Sequence, residues 1–200
     1  MSLQKTNRLG MTGAHRTGKS TLAFDLSCNK GCYPFVKTSV SDADVWKVTG
    51  IRPDDVLSFA ERVMVQIELL HHMKDVVWKN AHGVFDRTFI DLIGYLFVNM
   101  DNTCTNLLKH QVEDFVQECV DATNHYFDAI IYVPPAIAVR SEEFKQNKTF
   151  LSDPYIQAVD NHIVAMLRRL TIPVIEIPKE MTSQSSRMEF LLTELAPSLV

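Results

Sequence analysis

Residues 10–23 read GMTGAHRTGKSTLA, and this stretch restricts the possible folds more than any other. Gly13, Gly18, Lys19 and Ser20 satisfy the spacing G-x-x-x-x-G-K-[ST]. That spacing needs a strand before it and a helix after it. Arg8 to Thr12 reads as a short β-rich run, and Leu22, Phe24 and Leu26 fall at helical positions in a segment that ends near Asn29 or Gly31. Each part of the loop has a physical task. The glycines let the backbone of Gly13, Ala14, His15, Arg16 and Thr17 curl until its N–H groups point inward, where side chains would block a phosphate. The helix that begins near Gly18 adds unpaired N–H groups and the positive end of its dipole. Lys19 brings a full charge to the outer phosphates, the Ser20 hydroxyl is placed to ligate Mg²⁺, and Thr21 completes the first turn. His15 reads as a filler at a variable position. The expectation is a site for a nucleoside triphosphate.

The rest of the chain repeats that alternation of strand and helix, the pattern of a parallel sheet with crossover helices. Tyr33 to Val40 reads as a second strand. Pro53 is placed to open a long helix, with Val56, Phe59, Val63, Ile67, Leu70 and Val77 at helical spacing to Asn80. Gly83 to Asp86 reads as a third strand. Phe89 to Val98 is an apolar, buried helix, and Leu107 to Tyr126 another helix with Leu108, Val112, Phe115 and Cys119 on one side. "DAIIYVPP" is a fourth strand stopped by Pro134 and Pro135. A polar, Lys-rich stretch follows at 136–150, with the composition of a flap. Ser152 and Pro154 then suit the start of a helix that reaches about Leu170. "IPVIEIP" reads as a buried fifth strand, and Arg187 to Leu195 as a closing helix.

Two hundred residues bury one sizeable core, and a single domain is expected. No apolar run approaches the roughly 20 residues that span a bilayer, and the start MSLQKTNR lacks a secretory h-region, so a cytoplasmic protein is expected. Cys28, Cys32, Cys104 and Cys119 are too few for a disulfide scaffold and too scattered for a four-ligand zinc site. A formal net charge of −4 argues against a surface that follows long nucleic-acid backbones but suits a small anionic ligand in a local basic pocket. His71 and His72 are adjacent on a helix and point apart, so they do not share an ion readily. Trp46 and Trp78 are expected to pack, with a wall of an acceptor pocket as the alternative for Trp46.

A phosphate loop alone does not distinguish a kinase from a motor or a switch, so the segment "GVFDRT" decides. If this strand lies beside the first, Asp86 emerges at the carboxyl edge of the sheet close to the loop, where ligands bind in open α/β sheets. A carboxylate there accepts a proton from an attacking hydroxyl or holds Mg²⁺. Arg87 beside it neutralises charge on a phosphoryl group. In a hydrolytic ATPase the acid would serve only Mg²⁺ and water. The adjacent arginine and the short chain favour transfer to a second substrate.

"GAHRTGKST", "TSVSDADV", "ERVMVQIELL", "FDRTFIDLIGY" and "FDAIIYVPP" together resemble the P-loop nucleoside and nucleotide kinase group, which includes thymidylate-kinase-like and deoxynucleoside-kinase-like enzymes and small bacterial and phage proteins. The resemblance spans most of the chain, and its specific parts are the phosphate loop and the Asp-Arg pair. It implies a three-layer α/β fold with a five-stranded parallel sheet in the order 2-3-1-4-5, ATP and Mg²⁺, and a small-molecule nucleoside or nucleotide acceptor, with a deoxynucleoside monophosphate preferred. It also implies a homodimer. By the same resemblance Asp86 is the general base and, with Ser20, a metal ligand. Arg87 is the partner arginine, and Arg62 and Gln66, on one side of the long helix, either line the acceptor site or form a solvated helix face. Asp91 is either a sugar-hydroxyl contact or a helix-surface charge. The stretch 136–150 becomes a lid in which Arg140, helped by Lys145 and Lys148, stabilises the moving phosphoryl group, with Arg168 and Arg169 as substitutes or solvated charges. Adenine is expected near Lys179. The remaining alternatives are a stand-alone NTPase or regulator, and a kinase acting on a modified base in DNA.

Overall fold

The computed structural model describes residues 8–30, 33–38, 45–51, 57–100, 105–135 and 153–196. Five short strands form one parallel sheet: β1 (Arg8–Thr12), β2 (Phe35–Lys37), β3 (Gly83–Asp86), β4 (Ala129–Tyr132) and β5 (Val174–Glu176). Their spatial order is β2-β3-β1-β4-β5, as the resemblance implied. β1 is central, with Met11 opposite Asp86 on β3 and Thr12 opposite Tyr132 on β4. Parallel neighbours require crossovers, and the helices α1 (Lys19–Lys30), α2 (Val45–Thr49), α3 (Phe59–Lys79), α4 (Phe89–Phe97), α5 (Asn106–Tyr126), α6 (Asp153–Leu167) and α7 (Gln184–Leu195) fall between or after the strands.

Side chains alternate along each strand, so the sheet buries two faces. Val84 and Ile131 meet Leu22 and Leu26 of α1 and Leu191 of α7 on one side. Phe85 and Ile130 meet Val63 of α3, Ile93 of α4, Phe115 of α5 and Ile163 of α6 on the other. Each fully buried aromatic or aliphatic side chain of this kind stabilises by roughly 1.5–3 kcal/mol, so the two faces hold the layers together. Helix α4 lies innermost and is buried almost all round. A Cβ at Gly94 would stand 2.8 Å from Ile163 Cγ1 and 3.1 Å from the Val159 carbonyl oxygen, so only glycine lets α4 and α6 approach this closely.

Several boundaries differ from the sequence reading. The described part of the second strand is only Phe35–Lys37, and a short helix, α2, follows that the periodicity did not reveal. The long helix begins at Phe59 rather than Pro53, because Ser58 and Glu61 form a reciprocal capping box: the Ser58 amide donates to Glu61 Oε2 at 2.8 Å and the Glu61 amide to Ser58 Oγ. Strand β5 is an edge strand and only half-buried, not a buried one. Helix α7 starts three residues early, at Gln184, behind the cap Ser183. Trp78, expected to pack, is 70% exposed at the end of α3. Among the described residues no helix is long and apolar enough to cross a membrane, and no group of residues could hold a metal through His, Cys, Asp and Glu alone.

Candidate functional site

The loop between β1 and α1 runs along the carboxyl edge of the sheet. Gly13 has φ +146°, and a Cβ there would lie 2.3 Å from the Val133 carbonyl oxygen, so the turn admits only glycine. Gly18 (φ +85°) and Arg16 (φ +61°) also take left-handed backbone. Lys19 is 5% exposed and folds back into the loop, where Nζ donates to the Ala14 carbonyl and, at 3.4 Å, to Thr17 Oγ1. Burial, helped by the Arg87 charge, lowers the Lys19 pKa from its ordinary range to about 8, while Asp91, Asp86 and Asp160 pull the other way. Ser20 and Thr21 face solvent on the first turn of α1.

Asp91 corrects the sequence reading. It is 1% exposed and so is not a surface charge. A carboxylate on a helix buried all round is tolerated only where donors meet it, and here both oxygens are taken. Oδ1 accepts from the Gly13 amide at 3.2 Å. Oδ2 accepts from the Thr12 hydroxyl at 2.9 Å and from the Thr88 amide at 2.9 Å. Asp91 therefore fixes the entry of the phosphate loop to the start of α4.

Asp86 ends β3, the strand beside β1, and Arg87 follows it. Arg87 has φ +91°, a conformation that costs of order 1–3 kcal/mol and persists only when its surroundings enforce it. They do so here: the Arg87 amide donates to the Met11 carbonyl at 3.0 Å, and the Thr38 hydroxyl donates to the carbonyls of Asp86 and Arg87. The reward is direction. The Asp86 side chain is 3% exposed, and its Oδ1 has no hydrogen-bond partner among the described residues.

The Arg87 guanidinium lies 5.3 Å above the Tyr95 ring and donates from Nη2 to His15 Nδ1 at 3.3 Å. His15 in turn packs on Tyr95, with ring centroids 4.7 Å apart. Burial, together with the charges of Arg87, Lys19 and Arg16, drives the His15 pKa down to about 3, so its ring is neutral and Nδ1 accepts. His15 is thus a contact of Arg87 rather than a filler. The sequence held a sign of Tyr95: it follows Asp91 by four positions and so shares that helix face.

Two more buried polar atoms lack partners among the described residues: Gln66 Oε1 and Asp160 Oδ1. An unpaired buried polar atom costs about 1–3 kcal/mol, which a polar ligand would recover. Gln66 and Arg62 are both half-buried on α3. Burial raises the pKa of Tyr155 on α6, with Asn99 and Arg62 opposing it, so Arg62 acts toward α6. Asp160, also on α6, is 1% exposed and takes the Tyr132 hydroxyl on Oδ2 at 2.8 Å. Burial raises its pKa, while the nearby Lys179 and Lys19 charges lower it. Arg168 and Arg169 are exposed, and Arg169 binds Gln117 on α5 at 2.7 Å rather than any part of the loop. Arg140, Lys145, Lys148 and the proposed lid at 136–150 lie outside the described residues.

No protein-family model and no curated protein matches the chain. Solved structures do match across almost its whole length. Deoxyadenosine kinase from M. mycoides with bound dCTP is 16% identical with a TM-score of 0.66, the match covering 95% of this chain and 99% of that one. Thymidylate kinase from Candida albicans is 15% identical with a TM-score of 0.56, covering 96% and 92%. YorR protein from Bacillus subtilis in complex with phosphorylated GDP is 14% identical with a TM-score of 0.52, covering 95% and 97%. The chain has the three-layer α/β P-loop fold of these kinases.

Proposed function

We propose that the protein transfers the γ-phosphoryl group of ATP to a nucleoside or nucleoside monophosphate. The observation that carries this reading is Asp86 Oδ1: a buried carboxylate oxygen, unpartnered among the described residues, one strand away from the phosphate loop. An acceptor oxygen left open beside an arginine held at positive φ suits transfer to a second substrate, with the arginine facing the moving phosphoryl group. The kinase folds that the chain matches support the same class.

The orphan oxygen also bears on the acceptor. A phosphate oxygen is already ionised and needs no base, whereas a sugar hydroxyl must lose its proton as it attacks. Asp86 therefore favours a nucleoside hydroxyl over the monophosphate preferred from sequence. Deoxyadenosine kinase and thymidylate kinase are both among the matched folds, so this choice rests on Asp86. A monophosphate stays the second reading, because Arg62 and Arg87 are cations suited to a second phosphate.

The backbone of residues 13–21 and Lys19 hold the triphosphate. Asp86 takes the hydroxyl proton while the hydroxyl oxygen forms its bond to the γ-phosphorus, the bond to the β-γ bridging oxygen breaks, and ADP departs. Arg87, oriented by His15 and Tyr95, faces the charge on the moving group, and Arg140 is proposed to share that task. Gln66 and Arg62 orient the acceptor. The oxygen donors of Ser20 and Asp86 are the kind Mg²⁺ takes, and such an ion would supply charge neutralisation along the phosphates. Most of the rate then comes from positioning and fixed charge.

The test is a product-mass screen of purified protein with Mg·ATP against nucleosides, nucleoside monophosphates, nicotinamide riboside and DNA. A phosphorylated nucleoside or nucleotide is the expected product. ATP hydrolysis indifferent to every acceptor would replace the reading with a stand-alone NTPase.

A further inference from the structure

Arg187 is an arginine on α7 with no exposed surface at all. Its three donor groups reach three separate backbone segments. Nη1 donates to the Thr17 carbonyl in the phosphate loop at 2.6 Å, Nη2 to the Pro134 carbonyl just past β4 at 3.1 Å, and Nε to the Met181 carbonyl in the turn after β5 at 2.7 Å. Among the described residues no carboxylate pairs with it. A guanidinium taken out of water without an anion carries a large desolvation penalty, which carbonyl dipoles offset only in part. A Cβ at Gly18 would stand 3.9 Å from Nη1, so the charge lies directly against the first turn of α1.

The Thr17 contact has a chemical consequence. The Thr17 carbonyl and the Gly18 N–H belong to one peptide group. A cation donating to that carbonyl polarises the group and strengthens the Gly18 N–H as a donor. We propose that Arg187 is a positioning residue for the nucleotide: it fixes the outer side of the phosphate loop to the ends of β4 and β5, sharpens the Gly18 N–H, and supplies a buried positive charge whose counter-charge is the bound polyphosphate. The inference rests on the nucleotide-binding reading of the loop. Arg187 itself need not touch the nucleotide.

Calorimetric titration with a non-hydrolysable Mg·ATP analogue tests this on three proteins: the unaltered chain, Arg187→Lys and Arg187→Met. Arg187→Met is expected to weaken the analogue by about tenfold or more and Arg187→Lys by about threefold, since lysine keeps the charge but loses the fork that spans three carbonyls. In the same variants the acceptor KM should stay within about twofold while the analogue weakens, a split that a general loss of stability would not produce. If Arg187→Met does not fold, the lysine variant alone decides. Unchanged analogue affinity in either folded variant, or equal losses for analogue and acceptor, overturns the proposal. No binding to the unaltered chain would instead overturn the nucleotide reading, and the proposal with it.

Discussion

Asp91 holds Gly13: its Oδ1 accepts the Gly13 amide at 3.2 Å while Oδ2 accepts the Thr12 hydroxyl at 2.9 Å, so a buried helix sets the first residue of the phosphate loop. In Asp91→Asn one acceptor becomes a donor facing donors. That leaves at least one buried group unpaired and should destabilise the fold by about 1–3 kcal/mol. Urea denaturation should show this loss together with weaker ATP binding. An unaltered midpoint would mean that Asp91 does not brace the loop.

Lys19 titrates near neutrality because it is buried beside Arg87. In the free protein it loses its proton as pH rises through about 8, whereas a bound triphosphate requires the ammonium. Nucleotide affinity should therefore be flat below that pH and fall above it by up to about tenfold per pH unit. Lys19→Ala should bind weakly at every pH, with the slope gone. A flat profile to pH 9.5 in the unaltered chain would contradict this placement.

His15 gives a stability effect in acid. Its folded pKa, about 3, lies below the unfolded value of 6.5, so the unfolded chain binds the extra proton between these limits. The contribution of neutral His15 is complete above pH 6.5 and is lost as pH falls toward 3. His15→Gln, which keeps an acceptor for Arg87, should flatten the fall of the urea midpoint between pH 6 and 4. Identical slopes in the two proteins would show that His15 is not buried among these cations.

Much of the fold was legible because its signals are local. Strand β1, strand β3 and helix α4 follow from short apolar runs punctuated by glycine and charge, and the glycine spacing located the loop to the residue. What stayed hidden depends on contacts distant in sequence. Asp91 read as a sugar contact or a helix-surface charge, although α4 itself read as buried, because its partners Thr12 and Gly13 lie 79 and 78 positions away. His15 looked like filler because Arg87 and Tyr95 reach it across more than seventy residues. Arg187 lies 170 positions from the carbonyl it binds. The capping box at Ser58 was readable as S-x-x-E, but Pro53 gave a competing start signal.

Gln66 and Arg62 are one turn apart on α3, and Gln66 Oε1 is buried without a partner among the described residues. Gln66→Ala and Arg62→Ala should each raise the acceptor KM by about tenfold while the ATP KM stays within about twofold. Equal changes for both substrates would remove α3 from the acceptor site.

Asp86→Asn is nearly isosteric and leaves the strand, the strained Arg87 backbone and the loop in place. With ATP and the acceptor found by the product screen, single-turnover phosphoryl transfer in this variant should be slower by about 10² or more, with ATP affinity within about threefold of the unaltered protein. Transfer at a near-normal rate, with Asp86 unable to take a proton, would contradict the account at its centre.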